Sequence, residues 1–224
     1  MADGQISLGT VARAVGRVCY SEALTVGWSS VLFVLSALPL ITIGGSLLAL
    51  VETWITVVST ESEGRDISER DRLNVFLNTW RENLLAGVPY SFVLLLVVCG
   101  SLVYYVLGSV GESGLFLLWT LVSLYFVVVV LGWEMRAASI RMRSPAHDRP
   151  RFREAMERAA YSFLDHVGYG VLHFAWFAGV LLLLRLLPPA FVMLGPALLA
   201  VSETVGFEEL FGDGSETIRA AYAR

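Results

Sequence analysis

Apolar residues in this chain fall in long runs, at about 23–43, 46–60, 84–107, 115–133, 167–187 and 190–204. Runs of about 18 or more such residues are long enough to cross the hydrocarbon core of a bilayer. Three of the more polar stretches keep a different rhythm. Val11, Ala14, Val15 and Val18 recur at spacings of three and four, as do Leu73, Phe76, Leu77 and Trp80. Phe152, Ala155, Met156, Ala159, Phe163 and Leu164 form a third such set. That period puts each set on one stripe of an amphipathic helix. The pattern predicts an all-α integral membrane protein. About six transmembrane helices form three hairpins, each preceded by a cytoplasmic amphipathic helix.

Proline and glycine punctuate the runs. Pro39 favours a bend at the end of the first run, and Gly44 and Gly45 permit a tight turn. Pro188 and Pro189 break the fifth run, and Gly195-Pro196 stands where Gly44-Gly45 stands in the first hairpin. A short turn is expected at 108–114. Ser68, three residues before Asp71, resembles a capping box with Asp in the usual Glu place. Pro150 suits the first turn of a helix.

Composition narrows the class. Of 224 residues, 56% are hydrophobic and only 16% charged, with mean hydropathy +0.67. A soluble domain carries about 25% charged residues, so a single membrane domain accounts for the length. The N-terminus shows no signal-peptide pattern, so the first membrane helix is expected to direct insertion. Cys19 and Cys99 lie in different segments, with no spacing for a disulfide framework or a metal.

Charge sets an orientation. All 16 basic residues are arginine, against 20 acids, for a net charge of −4. The arginines gather in the N-terminal segment, the 61–83 and 136–165 loops and the tail; the turns near 40–45, 108–114 and 188–190 have none. Arginine-rich loops stay cytoplasmic. A multi-pass protein of the plasma membrane follows, with both termini inside and the Pro39 turn outside. Arg185 is the exception, and it would snorkel to the outer headgroups. The 136–165 segment attracts attention as a surface for lipid or a docking partner, through Arg141, Arg143, Arg149, Arg151, Arg153 and Arg158. The acidic net charge and the membrane setting exclude nucleic acid.

The first and last thirds resemble each other. Arg17-Val18-Cys19-Tyr20-Ser21 matches Arg158-Ala159-Ala160-Tyr161-Ser162, and the stretch from Gly44 to Thr53 matches Gly195 to Thr204. The middle third follows the plan with fewer identities, Trp80 standing at the Tyr20 position. Repeat units at about 7–60, 68–135 and 149–206 result, followed by a polar tail at 207–224.

This repeat makes Glu52 and Glu203 the candidate site. Each follows its hairpin glycine at the same distance, and ionisable groups inside a membrane mark functional sites by default. One reading pairs them as a site for a cation, a proton or a polyol. A simpler one places both at the cytoplasmic interface, against arginines such as Arg13, Arg17, Arg81 or Arg158. Glu134 is expected at the interface beside Trp133 and Arg136. His166 and His173 share a helix face and are read as packing residues. Glu112 is read as a solvated loop acid. The aromatic residues near the run ends fit belt anchoring. Catalytic motifs, a metal-ligand set and a cofactor signature are not found, so no enzyme is expected.

Leu35-Ser36-Ala37-Leu38-Pro39-Leu40-Ile41-Thr42-Ile43-Gly44-Gly45, with Phe76-Leu77-Asn78-Thr79-Trp80-Arg81-Glu82-Asn83 further on, resembles the YesL-type family of small polytopic membrane proteins. The Leu-Pro-x-x-Thr-x-Gly signature carries the likeness over the first ~100 residues; the family's usual Gly-Pro is Gly-Gly here. The resemblance implies a companion of carbohydrate uptake systems. Its partners would be permease or ATPase subunits in addition to the lipid bilayer. A small transporter or substrate-capture subunit using Glu52 and Glu203 is the alternative.

Overall fold

Short apolar spacings and their caps become helices almost everywhere. The computed structural model describes residues 8–65, 67–110, 114–212 and 214–222, without the side chains of Leu8, Leu117, Leu184 and Arg185. Among the described residues there are ten α-helices and no strand. They are α1 (Leu8–Ser21), α2 (Ala23–Ser36), α3 (Ile43–Ser62), α4 (Glu69–Glu82), α5 (Leu84–Val110), α6 (Gly114–Arg143), α7 (Phe152–Asp165), α8 (Val167–Arg185), α9 (Pro188–Phe211) and α10 (Ser215–Ala221). Glu112, the side chain of Arg185 and part of the 108–114 turn lie outside the description.

The three striped segments form α1, α4 and α7, each of 14 residues. Each is separated from the next apolar helix by one residue: Glu22, Asn83 or His166. The chain bends by 88° between α1 and α2 and by 109° between α7 and α8. At α4 the Ser68 hydroxyl accepts the Asp71 N–H, and Ser68 has extended backbone angles, so the capping motif starts the helix. Four helices (α5, α6, α9, and α3 with the short turn before it) are long and apolar enough to cross a membrane, or six spans if each bent pair is counted. The protein is therefore helical and of multi-pass membrane character.

Packing divides these helices. α3, α6 and α9 touch one another at the centre. Around them α4 and α5 pack on α3, α7 and α8 on α6, and α1 and α2 on α9. In the most apolar window of the α3 segment 67% of residues are buried, against 6% for α5 and 12% for α6. The α5–α6 hairpin thus presents its apolar surface to the surroundings, with Leu102, Leu118, Leu121 and Phe126 all exposed. In a bilayer, lipid would cover that surface.

Several expected turns take another form. Gly44 and Gly45 are not in the turn. They lie buried in the first residues of α3, and a Cβ on Gly87 of α5 would run into their backbone. The absence of side chains lets two helices touch, which is a membrane-helix packing device. The bend itself falls at Ala37–Pro39 and a 3₁₀ turn at Leu40–Thr42. Gly195 and Pro196 likewise lie inside α9; Pro188 and Pro189 occupy its first positions. Proline fits there because the first N–H groups of a helix have no intrahelical partner. The Pro39 turn docks on α5 beside Ser91, whose hydroxyl donates to the Ile41 carbonyl at 2.7 Å and accepts the Gly44 N–H at 2.8 Å.

Candidate functional site

A cluster of fully enclosed charges lies where α6, α8 and α9 meet. α6 does not stop at Trp133, where the apolar run ends. It continues through Arg143, because Met135, Ala137, Ala138 and Met142 keep burying its inner face. This carries Arg136 into the interior, where it is 0% exposed. α9 likewise continues past Thr204 to Phe211, so Glu203 lies inside the helix rather than at its end, and it too is 0% exposed.

Arg136 Nε lies 2.7 Å from Glu203 Oε1. The angle is not that of a hydrogen bond, so the contact is ionic. His173 of α8 approaches the other oxygen, Nε2 to Oε2 at 3.1 Å, and its Nδ1 lies 3.5 Å from the Tyr169 hydroxyl. The guanidinium carbon sits over three rings: Phe163 at 5.2 Å, Phe207 at 5.4 Å and Tyr169 at 5.8 Å. A cation over an aromatic face gains about 0.5–2 kcal/mol, more when desolvated. The rings supply what water would otherwise provide. Gly206 lies against the Tyr169 hydroxyl, and a Cβ there would strike it. One acid, one guanidinium and one imidazole thus join three helices inside an aromatic shell.

Glu52 has different surroundings. It is only half-buried, and it lies within electrostatic reach of Arg149 and Arg143. Glu52 and Glu203 therefore have separate partners, and the matched pair read from the sequence is two chemically unlike positions. The loop arginines named as partners are replaced, for Glu203, by Arg136 of α6. Glu134, expected at the interface, is enclosed within the protein. It is 0% exposed, both carboxylate oxygens lack a hydrogen-bond partner, and it lies within electrostatic reach of Tyr90 of α5. Tyr90 packs edge-on against Phe152 at 4.7 Å.

The arginine-rich segment is divided. Arg141 donates to the Pro150 carbonyl, and Arg143 pairs with Glu208 while stacking over Phe207 at 4.4 Å. Arg149 is half-buried. Arg151, Arg153 and Arg158 are exposed, the last paired with Glu154 one turn back. The outward basic face is thus carried by α7 and the residue before it.

A second polar junction ties α4 to the start of α2. Arg72 is buried and bonds Glu22, with its Nη2 3.3 Å from Glu22 Oε1, its Nη1 2.8 Å from Thr25 Oγ1 and 3.0 Å from Glu69 Oε1. Trp28 donates to Glu69 at 2.7 Å. Burial works against the Arg72 charge, but the hydrogen bond and charge of Glu22, with Glu69, outweigh it and hold the guanidinium above its ordinary pKa.

Two cavities accompany these clusters. One, of about 380 Å³, opens where the central helices meet and is walled by Phe33, Leu47, Leu131, Met135 and Leu199 among other apolar residues. The other, of about 400 Å³, lies between α1, α8 and α9.

Sequence reasoning missed Arg136, which was grouped with the surface arginines, and the ligand-like use of His173. The signal was available: the residues around Arg136 keep an apolar helical period beyond Trp133. No family model, curated protein or solved structure matches this chain.

Proposed function

We propose that this chain is a non-catalytic membrane subunit that works beside other membrane proteins rather than as a conduit for a polar solute. The observation that supports this most is the apolar wall of the central cavity. A hydroxyl moved from water into such a wall without a partner costs roughly 2–7 kcal/mol. A sugar has several hydroxyls, so the polar path would belong to a partner. The α5–α6 hairpin supplies the surface for that partner, since most of its apolar side chains are exposed. The likeness to the YesL-type family adds carbohydrate uptake as the process served.

The repeat belongs to the same reading. Three units of amphipathic helix, one-residue hinge, apolar helix and returning helix would be arranged in a ring, each amphipathic helix resting on the returning helix of the unit before it. Two serines support the arrangement. Ser30 accepts the Ala197 N–H at 3.1 Å and Ser91 accepts the Gly44 N–H, each the same number of residues after its hinge. The hinges fall slightly off the register of the matched residues, so the likeness is one of plan more than of aligned sequence.

The test is affinity purification from native membranes in a mild detergent, followed by mass spectrometry. Permease or ATPase subunits are expected to co-purify, and substituting Leu118 and Leu121 by Trp on the exposed face of α6 should deplete them. Recovery of the chain alone from native membranes would overturn the reading. Should Glu52→Gln instead abolish solute uptake in reconstituted vesicles holding only this chain, the transporter alternative would replace it.

A further inference from the structure

We propose that the cavity between α1, α8 and α9 is a binding site for an anionic glycerophospholipid, with one acyl chain in the cavity and its phosphate against Arg13. This inference stands apart from the uptake reading and uses different residues.

The shape of the ligand follows from the walls. Val11, Ala12, Leu172, Ala175 and Trp176 give an apolar lining to a space of about 400 Å³, within the range of small-molecule sites. The polar groups bordering it already have partners. Ser202 donates to the Leu198 carbonyl at 2.7 Å and accepts the Trp176 indole N–H at 3.0 Å. Tyr169 faces His173, which faces Glu203. A ligand's polar part gains nothing inside, so the occupant is a chain whose head remains at the rim.

Arg13 fixes the charge of that head. Gly9 and Ala12 line the cavity, and Arg13, next to Ala12, donates its Nε to the Gly9 carbonyl at 2.8 Å. The exposed guanidinium is thereby tied back to the turn of α1 that lines the cavity, and only its Nε is used by that bond. Arg17 follows one turn later, its Nε 3.1 Å from the Tyr222 carbonyl. α1 turns 88° away from α2, as a helix lying along the membrane surface does beside one that enters the bilayer. Arginines on such a helix favour anionic lipid. A phosphodiester at the rim with an acyl chain below it fits both features.

The purified full chain, delipidated in detergent, would be titrated with phosphatidylglycerol, phosphatidylcholine and inorganic phosphate. Thermal unfolding and native mass spectrometry would read occupancy. Phosphatidylglycerol should be retained and should raise the unfolding temperature by several degrees more than phosphatidylcholine; inorganic phosphate should do neither. Arg13→Gln, an exposed change, should bring the preference for phosphatidylglycerol close to parity. Ala175→Trp, which fills the cavity from an exposed position, should lower retention of both lipids severalfold. An unchanged preference in R13Q, unchanged retention in A175W, or stabilisation by inorganic phosphate equal to that by phosphatidylglycerol would each overturn the proposal.

Discussion

At the scale of single residues, Glu203 meets both Arg136 of α6 and His173 of α8 through one carboxylate. Removing one partner of a buried ion pair leaves a charge that has neither water nor a counter-ion, which costs about 3–5 kcal/mol. Glu203→Ala should therefore destabilise the protein by that order, seen as a large drop in unfolding temperature. The double change Arg136→Met with Glu203→Leu removes both charges and should recover most of the loss. If the double variant were no more stable than E203A, the aromatic shell rather than the ion pair would hold α6, α8 and α9 together. A smaller effect is expected at Ser68. Its side chain satisfies one N–H at the start of α4, so Ser68→Ala should cost about 1 kcal/mol, measurable by the same unfolding assay.

At the scale of elements, the contact between α3 and α5 rests on having no side chain at Gly87. Gly87→Ala places a methyl group against the backbone of Gly44 and Gly45, and backbone yields less readily than a side chain. The two helices must separate, at about 1–3 kcal/mol, the usual cost of overpacking. Gly100→Ala on the same helix meets nothing within 4 Å. It should be neutral or slightly stabilising, since Ala is the better helix former. Equal melting temperatures for the two variants would count against the close crossing. These elements also mark where sequence reading worked. The stripes at Val11–Val18, Leu73–Trp80 and Phe152–Leu164 gave three helices because a period of 3.6 leaves a local trace. The Ser68 cap was readable for the same reason. Gly44, Gly45, Gly195 and Pro196 were assigned to turns because glycine and proline have the same local signature in a turn as at a helix crossing; only the neighbouring helix tells them apart. The ends of α6 and α9 were missed because a charged residue reads as the edge of a membrane run. Arg136 and Glu203 are charged, but each neutralises the other across helices far apart in sequence.

At the scale of the whole molecule, the long α5 serves as a ruler for the depth of the first hairpin. Its 27 residues extend about 40 Å at 1.5 Å per residue, close to a full bilayer with its headgroups. The Pro39 turn touches α5 at Ser91, near the Asn83 end, so roughly 28 Å of the helix continues beyond it. Leu38, Leu40 and Ile41 in that turn are exposed and apolar, as residues that meet lipid are. If α5 crosses the membrane, the turn lies within it rather than at the far surface expected from the arginine distribution. Single cysteines at Leu40 and Ser109, in a background with Cys19 and Cys99 changed to serine, separate the two cases. Added to intact cells, a membrane-impermeant maleimide should label Ser109→Cys, near the distal end of α5, and leave Leu40→Cys unmodified. Labelling of both at similar rates would place the turn in water and would mean that α2 and α3 cross the bilayer beside a strongly tilted α5. Protection of Leu40→Cys would instead make the α2–α3 hairpin a re-entrant element, held from one side by the Arg72–Glu22 junction and by the glycine crossing with α5.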